Sequence, residues 1–423
     1  MTIDLKEALA RAQKYGVQLE TANIAAELAR EDRKQAVAAS LPSISALNQF
    51  IYTEGNGTPS GVFVANDGVH IYNEQLQAHE EVLSFVRRGE IRLARAAEAV
   101  AKAKADVAAR GLNATVIQDY YSIASTQRKL GNAQTSLAET RQFLDITQKQ
   151  ERGGEVAHAD VIKAQLTVQQ RQRDVQDAQL TLDKAKTALA VLIFPNLQQN
   201  YAIVDDLSQL PILPPLPEVT AQTANNNADL RAAQAGTVQA RLGVNVARYA
   251  YLPSFGLDLF YGIDANQFTA HTDYPTPESG RSTLPNYLVP YRQNLGYVAQ
   301  ATLNVPIWNW GAIHSKVKQA SLKERQAELD LSLAQKQVQA ALANSYEEAR
   351  IAFTQIESLR ESARLATESL RLTLLRYKAG EASALEVVDA QSTGSQARNA
   401  YDDGLLRYRV AFSNLQNLTG RYQ

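Results

Sequence analysis

The sequence has no cysteine and no apolar run long enough to cross a membrane as a helix. Without cysteine, disulfides, thiolate metal sites and a cysteine nucleophile are excluded, and the residues given contain no thiol that could accept an N-terminal lipid anchor. Lys and Arg number 43 against 44 Asp and Glu, so the charge balance does not indicate nucleic acid as a partner. The first residues, Met1 to Leu5, have neither a basic nor an apolar signal region. We therefore expect that an exported form has lost its signal peptide.

Helix breakers are also scarce, and the 13 prolines and 21 glycines are bunched. Between them lie long stretches rich in Ala, Gln, Leu, Glu, Lys and Arg, a composition typical of long helices and coiled coils. The longest predicted helices cover 84–150 and 309–378, each on the order of 100 Å at ~1.5 Å per residue. Each is followed by a glycine turn and a shorter helix with heptad spacing, which predicts helical hairpins packed side by side.

The chain contains an internal repeat. The segment 154–165 aligns with 380–391, 226 residues later, and shares Gly-Glu, an acidic residue followed by Val, and Ala-Gln. The heptad register continues downstream, with Val161 and Leu189 aligned with Val387 and Leu415. Two Ala-rich coiled coils could share heptads by chance, but chance is much less able to supply the other matches. The alignment predicts a duplication.

Each half is predicted to have the same order of elements. The first half, 1–221, has a helix at 3–38, strands at about 41–54 and 69–82, a long helix at 84–150, a turn at 151–156, a helix at 157–193 and a proline-rich connector at 194–221. The second half, 222–423, has a helix at 222–250, strands at about 252–266 and 293–307, a long helix at 309–378, a turn at 379–383 and a helix at 384–419.

The extended segments alternate between apolar and polar residues. In 293–305 the odd positions from Leu295 to Val305 are apolar and the even ones polar, apart from Val298. This period of two is typical of a strand with two different faces. It fits an ordinary antiparallel sheet over a core or a membrane barrel with lipid outside and water inside. No other apolar layer is available between the long helices, which favours the barrel. Strand two is the exception, because Glu74, His79, Glu80 and Glu81 interrupt its alternation and leave its register unassigned.

Four strands are too few to close a membrane barrel, whose smallest form has about eight. An open edge in lipid would leave backbone N–H and C=O groups unpaired at a cost of several kcal/mol each. If the strands are membrane strands, the chain must therefore oligomerise. The segments 55–68 and 268–290 are predicted to be the exposed loops between them.

These features together resemble the TolC family of outer-membrane efflux and secretion proteins. The resemblance starts at Leu5-x-x-Ala8-Leu9, includes Leu41-Pro42-Ser43 and Leu252-Pro253-Ser254 at two strand entries and both hairpin turns, and ends at Leu418-Thr419-Gly420. It implies a mainly α protein with membrane β structure, whose hairpins form an α-barrel tunnel and whose strands join a trimeric twelve-stranded β-barrel. It further implies a passive exit duct of the bacterial outer membrane with a long periplasmic extension. The duct would serve a tripartite efflux or type I secretion system.

The resemblance also implies partners and site residues. The partners are two further copies in a homotrimer, a periplasmic adaptor, an inner-membrane pump and outer-membrane lipid. Adaptor docking falls on the two turns, at Gly154, Glu155, Val156, Gly380, Glu381 and Ala382. Glu386 and Asp389 match the family's acidic aperture residues, and Tyr377 and Asp160 match contacts that hold the aperture shut. Ala382 stands where a basic partner is typical, so the contact that closes the aperture is expected to be weaker here or to use other residues such as Arg376 or Lys378.

Other interpretations remain to be weighed. Glu386 and Asp389 could simply be acidic residues favoured in the first turns of a helix. The whole chain could be a coiled-coil structural scaffold of the cell envelope, although the alternating strands argue against this. An enzyme is not predicted, because nucleotide-binding and nucleophile motifs are missing and the five histidines are scattered without metal-ligand spacing. No cofactor or metal is predicted.

Overall fold

The computed structural model describes residues 1–53, 69–197, 200–265 and 295–420. Both predicted loops, 55–68 and 268–290, lie outside these residues. The structure is mostly helical. Its helices are α1 Leu5–Tyr15, α2 Val17–Ala38, α3 Phe85–Arg152, α4 His158–Ile193, α5 Leu216–Asn226, α6 Ala228–Tyr249, α7 Ala312–Lys378 and α8 Ala384–Thr419. Its strands are β1 Thr2–Ile3, β2 Ser43–Thr53, β3 Val69–Leu83, β4 Ala202–Ile203, β5 Ser254–Ala265 and β6 Leu295–Asn304. Within the described part of the chain, none of the helices combines the length and the apolar character needed to span a membrane.

The predicted helix 3–38 is divided into two helices, α1 and α2, and α1 begins after an N-cap at Asp4. Asp4 accepts a hydrogen bond from the Glu7 N–H at 2.7 Å, so α1 starts at Leu5. The N–H of Gly16 bonds to the Ala12 carbonyl and ends α1. The second long helix starts at Ala312 and not at 309, because Trp310 (φ 53°) and Gly311 (φ 80°) adopt left-handed backbone conformations that interrupt it.

The connector 194–221 is more structured than predicted. β4 pairs in parallel with β1, which brings the start of the chain to the connector. Helix α5 begins at Leu216, with Pro215 as its N-cap and Pro217 in its first turn. The predicted connector 194–221 therefore ends in a helix. The prolines permit this, because the backbone N–H groups in the first turn of a helix have no partner within that helix.

The described chain folds as two compact units. Unit 1 contains 1–27, 99–237 and 327–423, and unit 2 contains 28–98 and 238–326. Each unit combines segments from both sequence halves. The compact units therefore do not coincide with the halves 1–221 and 222–423 that the sequence analysis predicts.

Unit 1 holds the connector against its helices through side-chain hydrogen bonds. The hydroxyl of Tyr120 donates to the Val204 carbonyl at 2.7 Å, and that of Tyr408 donates to the Pro211 carbonyl. Arg409 donates to the Asp206 carbonyl at 2.7 Å. Burial raises the pKa of Tyr408 to about 12, so its hydroxyl keeps its proton at neutral pH. The connector is fixed to α3 and α8 by these contacts.

Unit 2 contains a four-stranded antiparallel sheet in the order β2-β3-β5-β6. The sheet settles the register of strand two. Leu76 lies opposite Ala46 of β2 and Tyr261 of β5, and Ala78 lies opposite Ile44 and Leu259. Because directly opposed residues share a face, these apolar residues lie on one side of the sheet. Glu74 and Glu80 lie on that side as well, opposite Ile263 and Leu257.

The apolar face continues across β5 and β6, and in the single chain it is exposed to solvent. Tyr261 is opposite Tyr297, and Leu257 is opposite Ala301. The other face carries mainly polar residues, with Phe260 opposite Val298 as an apolar pair among them. The exposed large residues of the apolar face are Ile44, Phe50, Leu76, Leu257, Leu259, Tyr261, Leu295, Tyr297 and Leu303.

Candidate functional site at the hairpin turns

The two glycine turns have the same backbone geometry. Gly154 (φ 77°) and Gly380 (φ 74°) both lie in the left-handed region, where glycine has no steric cost. In the first turn, the N–H of Glu155 bonds to the Gln150 carbonyl at 2.9 Å. In the second, the N–H of Glu381 bonds to the Arg376 carbonyl at 2.8 Å. This six-to-one hydrogen bond ends each long helix and sends the chain back along a second one.

Unit 1 brings most of the predicted site residues together at these turns. They line a cavity of about 320 Å³ that both hairpins share. The predicted residues in its wall are Glu155, Val156, Asp160, Tyr377, Gly380 and Ala382. Gly154 and Glu381 are exposed in the turns themselves, and Glu386 and Asp389 are exposed on α8. The cavity is therefore the meeting point of the sequence positions assigned to adaptor docking and to the closed aperture.

Tyr377 joins α7 to α3 at this cavity. Its ring is buried and packs against Phe143 with the ring centroids 5.0 Å apart. Its hydroxyl donates to Thr147 Oγ1 at 3.1 Å, and Gln150 Nε2 donates to its carbonyl at 3.3 Å. Burial raises the pKa of Tyr377, and the nearby negative charge of Asp160 adds to the increase. The hydrogen-bond partner of Tyr377 is thus Thr147, while Asp160 acts on it only through charge.

Phe143 and Thr147 were missed by the sequence analysis. A signal was present, because Thr140 and Thr147 are seven residues apart on α3 and both are fully buried. Thr140 donates to Gln391 Oε1 at 3.2 Å across to α8. Hydroxyls that repeat at heptad spacing in an apolar seam indicate polar contacts between helices.

Glu386 is engaged as a helix cap. Its carboxylate accepts hydrogen bonds from the backbone N–H and the hydroxyl of Ser383 at 3.0 and 3.1 Å, and Ser383 caps the Glu386 N–H in return. These bonds, with a smaller contribution from Arg376, lower the pKa of Glu386. Within one chain, Glu386 therefore acts as a capping residue in the first turn of α8, and the cap stabilises its negative charge.

Asp389 and Arg376 have different positions. Asp389 is one helical turn beyond Glu386 and exposed, with no hydrogen-bond or ion-pair partner among the described residues. Arg376 donates to the Glu381 carbonyl at 3.0 Å and lies 3.5 Å from Glu386. It connects α7 to α8 in the same hairpin, so it does not replace the basic contact between hairpins that is missing at Ala382.

Contacts between the hairpins continue along α3 and α8. Both guanidinium ends of Arg398 bond to the Glu139 carboxylate at 3.1 Å, and Asn132 donates to Asp402 at 2.8 Å. Burial raises the pKa of Asp402 despite this bond. The two hairpins of one chain are thus joined by a polar seam that starts at the turns and runs up α8.

Two histidines have carboxylate partners. His158 Nδ1 lies 2.5 Å from Glu151 Oε1 beside the first turn, and His79 Nδ1 lies 2.6 Å from Asp258 Oδ1 on the polar face of the sheet. The sequence analysis identified no partner for either histidine. His79 and Asp258 are 179 residues apart, and the pairing of β3 with β5 brings them together. No cluster of three or more metal-binding side chains occurs in the described ranges.

Residues 219–421 match the family described as "Outer membrane efflux protein". This region, a little under half of the chain, belongs to that family. The match confirms the predicted family, the outer-membrane location and the assignment as a channel protein and not an enzyme. The matched region starts in α5 and includes β5, β6, α7, α8 and therefore the second turn.

Solved outer-membrane channels share the fold of this chain over almost its whole length. The Vibrio cholerae outer membrane protein VceC has a TM-score of 0.82 at 15% identity, covering 98% of this chain and 96% of its own. The Campylobacter jejuni CmeC channel has a TM-score of 0.79 at 16% identity, covering 98% and 85%. The open state of the Neisseria gonorrhoeae MtrE channel has a TM-score of 0.77 at 20% identity, covering 98% and 88%. A search of curated protein sequences gives no significant match.

Proposed function

We propose that three copies of this efflux protein form a passive exit duct through the outer membrane, as part of a tripartite efflux or type I secretion system. Substrate would reach the duct from a periplasmic adaptor and an inner-membrane pump. The four-stranded sheets would combine into one twelve-stranded barrel, and α3, α4, α7 and α8 of each copy would form the wall of an α-barrel tunnel. The observation that carries this proposal is the exposed apolar face of the sheet in unit 2.

The sheet supports closure by further copies. Its edge strands are β2 and β6, and three successive antiparallel pairings make these edges run in opposite directions. The β6 edge of one copy can therefore pair with the β2 edge of the next in the same antiparallel pattern. A ring of identical steps removes every edge, which the interior of a lipid bilayer requires. The number three comes from the family, since the edges alone fix only the direction of pairing.

The hairpin turns are proposed as the periplasmic end and the docking site of the adaptor. Gly154, Glu155, Val156, Gly380, Glu381 and Ala382 form or adjoin the cavity described above. The equivalent hydrogen bonds of the two turns, 226 positions apart, support a duplication that would present six similar turns in a trimer. An adaptor that binds these turns more tightly when they are separated would shift the duct towards its open state.

Gating is proposed to involve Tyr377, Asp160, Glu386 and Asp389. In the closed state Tyr377 holds α7 against α3, with Asp160 beside it in the cavity wall. Three copies of Glu386 and Asp389 would form two acidic rings at the aperture, where they would attract cations. Ser383 stabilises the charge of Glu386 but does not contact Asp389. Repulsion between the three copies of a residue in the ring is therefore expected to affect Asp389 more than Glu386.

The proposal is tested by single-channel recording in planar bilayers. The intact chain should give a conducting pore that divalent cations added on the turn side block. Asp389→Asn should weaken this block the most, and Glu386→Gln should weaken it less while also loosening the helix cap. Asp403→Asn, on the same helix but away from the turns, provides the matched control and should leave the block unchanged. A pore whose block is equal in all four proteins would remove the acidic pair from the aperture, and the absence of any conductance would contradict the duct itself.

A further inference from the structure

A second cavity of unit 1 lies between the two hairpins, away from the turns. Its volume is about 440 Å³, and it shares no residue with the cavity at the turns. Its wall comes from α3 between 126 and 136, from α4 between 171 and 181 and from α8 between 392 and 399. Residue 171 is about 20 Å along α4 from the first turn at ~1.5 Å per residue. We call this space the interhairpin cavity.

Small side chains leave the interhairpin cavity open. Its wall residues on α3 and on α4 repeat at intervals of three and four, so each helix presents one face to the space. Helices that pack side by side usually fill such positions with larger apolar residues. The small residues in the wall are Ala133, Ser136, Ala178, Ser392 and Ser395. The resulting volume is within the range of small-molecule sites.

Arg171 occupies a wall position where the heptad pattern of α4 is otherwise apolar. The residues seven positions before and after it are Ala164 and Ala178, and the aligned position in the second half is Ala397. The Arg171 side chain is 16% exposed, and its Nη1 donates to Asp174 at 3.0 Å. Its Nε is buried and has no hydrogen-bond partner in the described part of the chain. A buried N–H without an acceptor is costly, so an acceptor bound here would stabilise the folded chain.

Ser136 and Lys129 bring further donors to the same wall. Ser136 is 1% exposed, and its Oγ has no hydrogen-bond partner within the described ranges. Lys129 Nζ lies 2.5 Å from Asp403 Oδ1, which uses one of its three N–H groups. The interhairpin cavity is therefore lined by unused donors from two cations and one hydroxyl.

The carboxylate in the wall does not meet this surplus of donors. Asp174 accepts from Gln170 Nε2 at 2.9 Å on one oxygen and from Arg171 on the other. Because Asp174 engages the Nη1 end of the guanidinium, the Nε side stays open. That side of an arginine presents two parallel N–H groups, which fit the two oxygens of a carboxylate. The matching ligand group is thus an anionic acceptor.

We propose that the interhairpin cavity binds a small carboxylate, held by Arg171 Nε, Ser136 Oγ and Lys129 Nζ. The ligand would contact α3 and α4 of the first hairpin and α8 of the second. This inference goes beyond the proposed duct, because unit 1 alone forms the cavity and the acidic residues of the aperture do not contribute to it.

Isothermal titration calorimetry of the intact, detergent-purified protein tests the site. The probes are succinate, a small dicarboxylate, and succinamide, its uncharged diamide of similar size. We expect one succinate per chain and no binding of succinamide. Arg171→Gln should weaken succinate binding about tenfold or more, because charge-assisted bonds are lost, and Ser136→Ala should weaken it about fivefold, because one neutral bond is lost.

Two controls exclude a general effect of charge or of misfolding. Arg141→Gln removes an exposed arginine of α3 outside the wall and should leave succinate binding unchanged. Ser136→Ala removes a buried hydroxyl that has no partner among the described residues, so it should not lower the thermal unfolding midpoint of the ligand-free protein. Succinate should raise this midpoint in the unmodified chain and raise it less in Ser136→Ala.

Several results would overturn the carboxylate site. Equal binding of succinamide would mean that the charge of the ligand is not recognised, and an equal loss in Arg141→Gln would mean that succinate binds surface charge in general. The absence of succinate binding would also refute the site. Conductance of the same sample in planar bilayers reports on the duct separately: a conducting protein that does not bind succinate refutes the site alone, and a non-conducting protein that binds it refutes the duct alone.

Discussion

Gly262 of β5 and Gly296 of β6 are cross-strand partners with very different surroundings. A Cβ on Gly262 would lie 2.1 Å from the backbone oxygen of Glu74 and 2.6 Å from the Cα of Gln75 in β3. A Cβ on Gly296 would meet nothing within 4 Å among the described residues. The absence of a side chain is therefore a requirement at Gly262 and an option at Gly296.

We predict that Gly262→Ala destabilises the sheet and that Gly296→Ala does not. The methyl group at 262 can fit only if β3 and β5 separate, and overpacking of this kind costs about 1–3 kcal/mol or more when backbone is involved. Thermal unfolding of the detergent-purified protein, followed by the β-sheet circular dichroism signal, measures the difference. Equal midpoints for the two variants would mean that the close approach of β3 and β5 does not exist in the folded protein.

At the scale of elements, the hydrogen bond between Tyr377 of α7 and Thr147 of α3 is expected to stabilise the closed duct. Tyr377→Phe keeps the ring against Phe143 but removes the bond to Thr147. A bond between neutral groups contributes about 1 kcal/mol, which changes a two-state ratio about fivefold. We expect a roughly fivefold higher ratio of open to closed duct for each copy whose contact is broken on opening, measured as open probability in planar bilayers.

Thr147 supplies the matched controls for Tyr377. Thr147→Val removes the acceptor and should reproduce the effect of Tyr377→Phe, whereas Thr147→Ser keeps the hydroxyl and should resemble the unmodified chain. The double variant Tyr377→Phe/Thr147→Val should open no more than either single variant, because the same bond is removed twice. Additive effects would indicate that the two residues act on the duct separately.

The same elements show which features a sequence reveals. Helix α8 covers the range 384–419 that the heptads predict, since helical periodicity is a local property of the chain. The register of β3 could not be read, because Glu74 and Glu80 lie on the apolar face and only the pairing with β2 and β5 identifies that face. Family resemblance pointed to the turns as the site. The partner of Tyr377 was not predicted, because the heptad spacing of Thr140 and Thr147 indicates a polar contact but does not identify the residue that Thr147 meets 230 positions away.

At the scale of the whole molecule, the proposed ring predicts which residues, odd-numbered or even-numbered, face each other where β6 of one copy meets β2 of the next. Directly opposed residues share a face, so polar-face residues of β6 must meet polar-face residues of β2 in the next copy. On β2 these are odd-numbered, such as Ser45, and on β6 they are even-numbered, such as Val298 and Gln300. Closing a barrel also shifts the register between copies. The β6 residue that lies opposite Ser45 is therefore not specified, but it must be an even-numbered one.

Because the chain has no cysteine, any introduced pair reports on one contact. Ser45→Cys is combined in turn with cysteine at Gly296, Val298, Gln300 or Thr302, and oxidised in the membrane before denaturing electrophoresis. One of these variants should give covalent dimers and trimers and nothing larger, because a ring of three has no free edge for a fourth copy. Ser45→Cys combined with cysteine at Tyr297 or Ala299, on the apolar face, should stay monomeric. Cross-linking independent of parity, or a ladder that continues beyond three, would contradict a closed trimeric sheet.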